Sequence, residues 1–183
     1  MEAQIIRSKR KTLSLELKDG QVIVRAPRWV SRTQIDAFVQ GHQGWLQKAM
    51  AREAKRQQEL AAVVKLTDEE LAGLVRLAKD YIPRRVAHFA PLVGVDYAKI
   101  TIRRQRGRWG SCSAKGNLSF NCLLMLTPPA VLDSVVVHEL CHRKVMDHSP
   151  RFYALIDRVM PDYQEQHQWL RKNGQALIAR LPD

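Results

Sequence analysis

The chain has 183 residues, enough to bury a substantial core as one domain, or as one domain with an appended lobe. Apolar residues make up 45% and charged residues 26%. No apolar run approaches a membrane span, and Met1–Ser8 lacks the long apolar segment of a signal peptide, so a cytoplasmic protein with no membrane partner is expected. The net charge of +12 and pI near 10.1 attract anions such as nucleic acid, nucleotides or acidic proteins, but say nothing about fold.

Thr12–Leu17 and Gln21–Arg25 alternate with period two around Lys18-Asp19-Gly20. Asp-Gly between alternating runs predicts a β-hairpin, ended by Ala26-Pro27. Ser31 and Gln34 have the spacing of a capping box, opening a short helix with Ile35, Phe38 and Val39 on one face. Gly41 is expected to break it. A second helix then runs from about His42 to Leu60, with Trp45 and Leu46 facing inward and His42 as a surface or capping residue. The Ala-, Arg-, Lys-, Glu- and Gln-rich stretch 51–65 reads as a solvated helix or linker. It places a boundary between an N-terminal hairpin and helical lobe, 1–65, and a catalytic region, 66–183.

Thr67, followed by Asp68, Glu69 and Glu70, caps a long helix whose first turn favours anions. Leu71, Leu74, Val75, Ala78, Ile82, Val86 and Phe89 form its apolar stripe, Pro83 falls inside it, and Pro91–Val95 is expected to end it. Ala98–Arg103 and Leu118–Leu124 read as strands. Between them lie the glycine-punctuated Gly107–Ser113 and a turn at Ala114–Asn117. Together they predict an antiparallel sheet with an edge able to bind an extended peptide. Thr127 reads as an N-cap with Pro128 near N1 of the next helix.

That helix carries V-H-E-L-C-H-R-K-V-M-D-H, Val137–His148. His138 and His142 are four apart, so their imidazoles lie one turn apart and about 40° round the axis. Two such nitrogens can hold one Zn²⁺ at about 2.0–2.1 Å. Glu139 sits about 100° further round, where a general base for a metal-activated water belongs. A continued helix would carry His148 about 120° away from the pair, so the helix must stop near Asp147 for His148 to become a third ligand. Ser149-Pro150 supplies a corner: an N-cap with proline at N1 of a new helix. H-E-x-x-H also arises by chance. Here the apolar run Val135-Val136-Val137 predicts burial, and buried unpaired histidines and a glutamate are costly without a partner.

After His148, a helix from Arg151 to Met160 carries Phe152, Leu155, Ile156 and Val159 inward and ends at Pro161. A last helix from Tyr163 to Asn173 carries Trp169 and Leu170 and is expected to stop at Gly174. The three cysteines, Cys112, Cys122 and Cys141, include no C-x-x-C, so neither a disulfide framework nor a cysteine-ligated zinc ribbon is expected. Cys141 reads as a small buried hydrophobe.

R-W-G-S-C-S (Arg108–Ser113), P-P (Pro128-Pro129), V-V-H-E-L-C-H-R-K-V-M-D-H-S-P-R-F (Val136–Phe152) and M-P-D-Y (Met160–Tyr163) together resemble the YgjP-type metal-dependent hydrolases. These belong to the zincin group and are related to SprT-like and WLM-type metallopeptidases. The resemblance is dense from about Arg103 to Tyr163. It implies an α+β fold in which a zincin-like catalytic region, an antiparallel sheet plus the H-E-x-x-H helix, follows an N-terminal β-hairpin and helices. It also implies His138, His142 and His148 as zinc ligands and Glu139 as the catalytic glutamate. The histidine spacing also matches that of metzincins, but Val145 stands where they carry glycine, which argues against that group.

The expected function is zinc-dependent hydrolysis of a protein or peptide, with Zn²⁺ or another divalent metal as cofactor. Tyr153, Tyr163 and Arg108 are candidates for a second electrophile, and Arg108, Trp109 and Tyr153 for substrate binding. One alternative is a nucleoside triphosphate pyrophosphohydrolase using Arg103, Arg104, Arg106 and Arg108, with Lys115 nearby, because arginine suits phosphate. Another is a DNA-associated zinc protein of SprT-like type, with Trp109 stacking on bases, although no nucleic-acid-binding motif is present.

Overall fold

The computed structural model describes residues 3–18 and 20–182, which divide into two compact units, 1–62 and 63–183. In the first unit, β1 (Gln4–Ser8), β2 (Ser14–Lys18) and β3 (Gln21–Pro27) form one sheet in the order β1-β3-β2. β2 and β3 pair antiparallel, with Leu15 opposite Val24, as the alternation predicts; Asp19 of the expected turn lies outside the described residues. The sequence did not reveal β1, which pairs parallel to β3 on its other edge. β3 is therefore central, which explains its nearly continuous burial from Val22 to Pro27.

The capping box predicted for α1 (Arg32–Gly41) is present: Gln34 N donates to Ser31 Oγ at 3.2 Å and Ser31 N to Gln34 Oε1 at 2.9 Å. Gly41 is the last residue of α1, so the break falls where it was expected. His42 ends the helix, its Nδ1 donating to the Phe38 carbonyl at 2.7 Å, and α2 spans Gln43–Ala61. Leu46 is buried, but Trp45, expected inward, is 45% exposed. Adjacent helical positions differ by about 100°, so only one of the two can face the core squarely.

In the second unit, Thr67 and Glu70 close a capping box on α3 (Asp68–Val93), which runs through both Pro83 and Pro91 to a left-handed Gly94. The helix thus ends within Pro91–Val95, as expected, with Pro91 itself still helical. The stripe Leu71, Ala78, Ile82, Val86 and Phe89 is buried and packs against α4 (Pro129–Cys141). Arg85 of α3 also grips Asp133 of α4 through two bonds, Nε–Oδ1 at 2.7 Å and Nη2–Oδ2 at 2.8 Å. Neither partner was legible in the sequence. Asp133 is buried, so Asp133→Ala leaves a desolvated guanidinium unpaired. The expected cost is roughly 2–3 kcal/mol, below the value for a fully buried pair because Arg85 keeps some solvent. That should lower the melting temperature by about 5–10 °C, measurable by thermal unfolding. An unchanged melting temperature would mean the pair contributes nothing to docking α4.

β4 (Lys99–Arg103), β5 (Gly110–Cys112) and β6 (Asn117–Asn121) form the second sheet, in the order β4-β6-β5. The expected sheet was antiparallel; the observed one is mixed. β4 pairs parallel to β6, and only β5 pairs antiparallel. The glycine-punctuated segment forms β5 and carries the chain to the far edge, so β6 returns alongside β4 in the same direction. The predicted strand through Leu124 stops at Asn121 and gives way to a 3₁₀ turn, Cys122–Leu126.

Pro128, not Thr127, is the N-cap of α4; the Thr127 hydroxyl instead donates to the Leu124 carbonyl at 2.7 Å. α4 ends at Cys141, earlier than the expected stop near Asp147. α5 (Pro150–Val159) begins at the Ser149-Pro150 corner, and α6 (Tyr163–Ala179) continues through Gly174, where a stop was expected. Cys122 and Cys141 are buried free thiols, and Cys112 is half-buried. No helix among the described residues is long and apolar enough to cross a membrane.

Candidate metal centre

α4 is buried on almost every side, so its polar residues are held in a dry setting. His138 lies in its last turn and His142 is its C-cap, while His148 comes from the turn before α5. His138 Nε2 lies 3.1 Å from His142 Nε2 and 3.2 Å from His148 Nε2. All three rings are also edge-on to or stacked with Phe152 of α5, at centroid distances of 4.5–5.0 Å. Phe152, read from the sequence only as core, is thus the shared floor of the histidine cluster.

The far ring nitrogens fix which atoms face inward. His142 Nδ1 lies 3.0 Å from the Val145 carbonyl, which can only accept, so Nδ1 carries the proton and Nε2 a bare lone pair. His138 Nδ1 shares a 2.9 Å hydrogen bond with the Tyr163 hydroxyl. Burial pulls the His138 pKa down to about 3, reinforced by the neighbouring imidazoles of His142, His148 and His167. Burial also lowers that of His142. Converging lone pairs in a site that resists protons need a cation between them. Nitrogen separations of 3.1–3.2 Å are close to the roughly 3.3–3.4 Å edge of a tetrahedron with zinc–nitrogen bonds of about 2.0–2.1 Å. The donor set therefore fits a divalent metal, and Val145 and Tyr163 orient two of its imidazoles.

Tyr163 is almost fully buried, and its hydroxyl meets the ring nitrogen that points away from the cluster. Tyr163→Phe keeps the packing and removes that bond. Zinc affinity should fall about 10–100-fold in a chelator-competition titration, and an unchanged affinity would reduce the residue to packing.

Glu139 is buried, and burial pushes its pKa up to about 8, against the opposing pull of Arg108. Its carboxylate lies against β5 where Gly110 leaves room: a side-chain carbon at position 110 would fall 2.5 Å from Glu139 Oε1. His138 and Glu139 line one cleft of about 190 Å³ with Trp109, Gly110, Val135 and Leu170. Ser134, Tyr163 and His167 complete its lining. Of the residues proposed for substrate binding, Trp109 lines this cleft. Tyr153 does not; its ring lies 6.5 Å from that of His148. Arg103, Arg104, Arg106 and Arg108 are exposed and do not line the cleft either, although the Arg108 charge reaches Glu139. The sequence reading missed His167, Val135 and the cleft role of Leu170. His167 follows Tyr163 by four residues on α6 and stacks on its ring, a signal that needed the packing of α6 on α4 to be interpretable.

A buried helix bearing two ligand-spaced histidines and a glutamate, joined by a third histidine on an α+β frame, defines the class as a metal-dependent hydrolase of metallopeptidase type. The model of the YgjP-like family, described as a metallopeptidase domain, matches residues 11–73 and 65–173, and the chain belongs to that family. Among solved structures, the chain is similar to the metallopeptidase zymogen of Pyrococcus abyssi abylysin, at 19% identity and a TM-score of 0.46, over 51% of this chain and 96% of that one. No curated protein matches it.

Proposed function

We propose that the protein hydrolyses peptide bonds with zinc held by His138, His142 and His148, and with Glu139 as general base. The observation that carries this reading is the convergence of three imidazole Nε2 atoms at the end of a cleft that also contains the Glu139 carboxylate. Zinc bound there supplies Lewis acidity, which acidifies water and polarises a carbonyl. Glu139, beside His138 and shielded from bulk water, takes a proton from the attacking water as its oxygen bonds to the carbonyl carbon. It then delivers that proton to the nitrogen as the C–N bond breaks. Phe152, Val145 and Tyr163 hold the imidazoles in place, and Gly110 lets the carboxylate lie close to β5. Family membership supports a peptide or protein substrate. The test is casein hydrolysis by the zinc-loaded protein, with Glu139→Gln as control and nucleoside triphosphates as competing substrates. Phosphate release without casein cleavage would replace this reading with the nucleotide one.

A further inference from the structure

We infer that the cleft beside Glu139 is a pocket for one apolar side chain of the substrate, with Trp109 as its wall and Gly174 setting its depth. For its ligand class, the inference rests on the peptide-hydrolase reading above. The cleft holds His138, Glu139 and Gly110, and Trp109, Val135 and Leu170 supply apolar wall beside the polar groups of Ser134, Tyr163 and His167. At about 190 Å³ it is smaller than the roughly 300–1,000 Å³ of sites that enclose a whole small ligand. That size suits a leucine- to phenylalanine-sized side chain better than a nucleotide.

The wall is braced from two directions. Asn121 is fully buried; its backbone N–H donates to the Trp109 carbonyl at 2.8 Å, and its Nδ2 donates to the Gln105 and Arg108 carbonyls at 2.6 and 3.2 Å. On the other side, the indole lies against Gly174 in the middle of α6. A side-chain carbon there would fall 3.0 Å from Trp109 Cζ2 and 3.2 Å from Nε1. Glycine is a poor helix former, so its presence within α6 is explained by this close approach. Because the same indole lines the cleft, bulk at 174 that displaces the ring should narrow the pocket, while removing the indole should deepen it. Position 174 thus controls the pocket without touching substrate.

The test uses the zinc-loaded full chain and peptides differing only by Ala, Leu, Phe or Trp beside the scissile bond. The wild type should favour Leu and Phe over Ala by about tenfold or more in kcat/KM. Gly174→Ala should move that preference toward Ala by about tenfold, and Trp109→Ala toward Trp, with zinc content unchanged in both. Binding of the same peptides to zinc-loaded Glu139→Gln, followed by calorimetry, reads the pocket without turnover. Should Trp109→Ala fail to fold, Trp109→Leu, which keeps an apolar side chain in the wall, carries the same arm of the test. Equal changes across the whole series would overturn the pocket while leaving peptide hydrolysis intact. Selective binding without any cleavage would keep the pocket and overturn hydrolysis. Nucleoside triphosphate binding that Trp109→Ala abolishes, with no selectivity among peptides, would also overturn the pocket as assigned.

Discussion

Replacing Glu139 with glutamine should leave zinc binding intact and lower casein hydrolysis by roughly 10²–10⁴-fold, the usual worth of a general base. The two effects separate if zinc is held by the three histidines, as proposed, because Glu139 lies beside that cluster and outside it. Glutamine has nearly the same shape, so it fits against Gly110 as the glutamate does, where a side-chain carbon would collide. The amide cannot accept the proton of water as a carboxylate does. Zinc content by mass spectrometry and casein turnover, measured on the same preparation, check both halves. Full activity in the variant would remove Glu139 from the mechanism, and loss of zinc would make it a ligand.

His148→Ala should bind zinc roughly 10²–10⁴-fold more weakly, if one of three protein ligands carries its share of an apparent binding free energy of about 10–16 kcal/mol. This is the cleanest of the three histidines to remove. His148 is exposed in the turn before α5, whereas His142 is buried and stacked on Phe152 at 4.5 Å. The apo fold should therefore survive. What should disappear is the stabilisation that zinc gives the wild type, about 4 kcal/mol at a thousandfold excess over Kd. Thermal unfolding with and without zinc, before and after chelation, measures it. A wild-type-like zinc response in the variant would leave only two histidine ligands and would dismantle the centre described above.

The histidine cluster was largely legible because its determinants are local. His138, Glu139 and His142 lie within five residues, and helical periodicity fixes their relative directions. The corner that presents His148 was readable from Ser149-Pro150. The caps of α1 and α3 were legible for the same reason, since a capping box spans four residues. Partners distant in sequence were not legible. The Arg85–Asp133 pair joins positions 48 apart, and the His138–Tyr163 bond joins positions 25 apart. Neither leaves a periodic trace.

The residues alone pointed to the histidine cluster, to the glutamate beside it, to the apolar helix that carries them and to a metal-dependent hydrolase. Each is a short-range pattern of side chains on one turn or one face. Only the tertiary structure decided that β4 and β6 run parallel, that β5 brings Gly110 against Glu139, and that α6 crosses α4 to supply Tyr163, His167 and Leu170. Gly174 shows the difference most directly. By local propensity it marks a helix end, whereas in the fold it is the space that Trp109 occupies. Local propensity is worth about 1 kcal/mol at such a position, and packing a partly buried indole outweighs it.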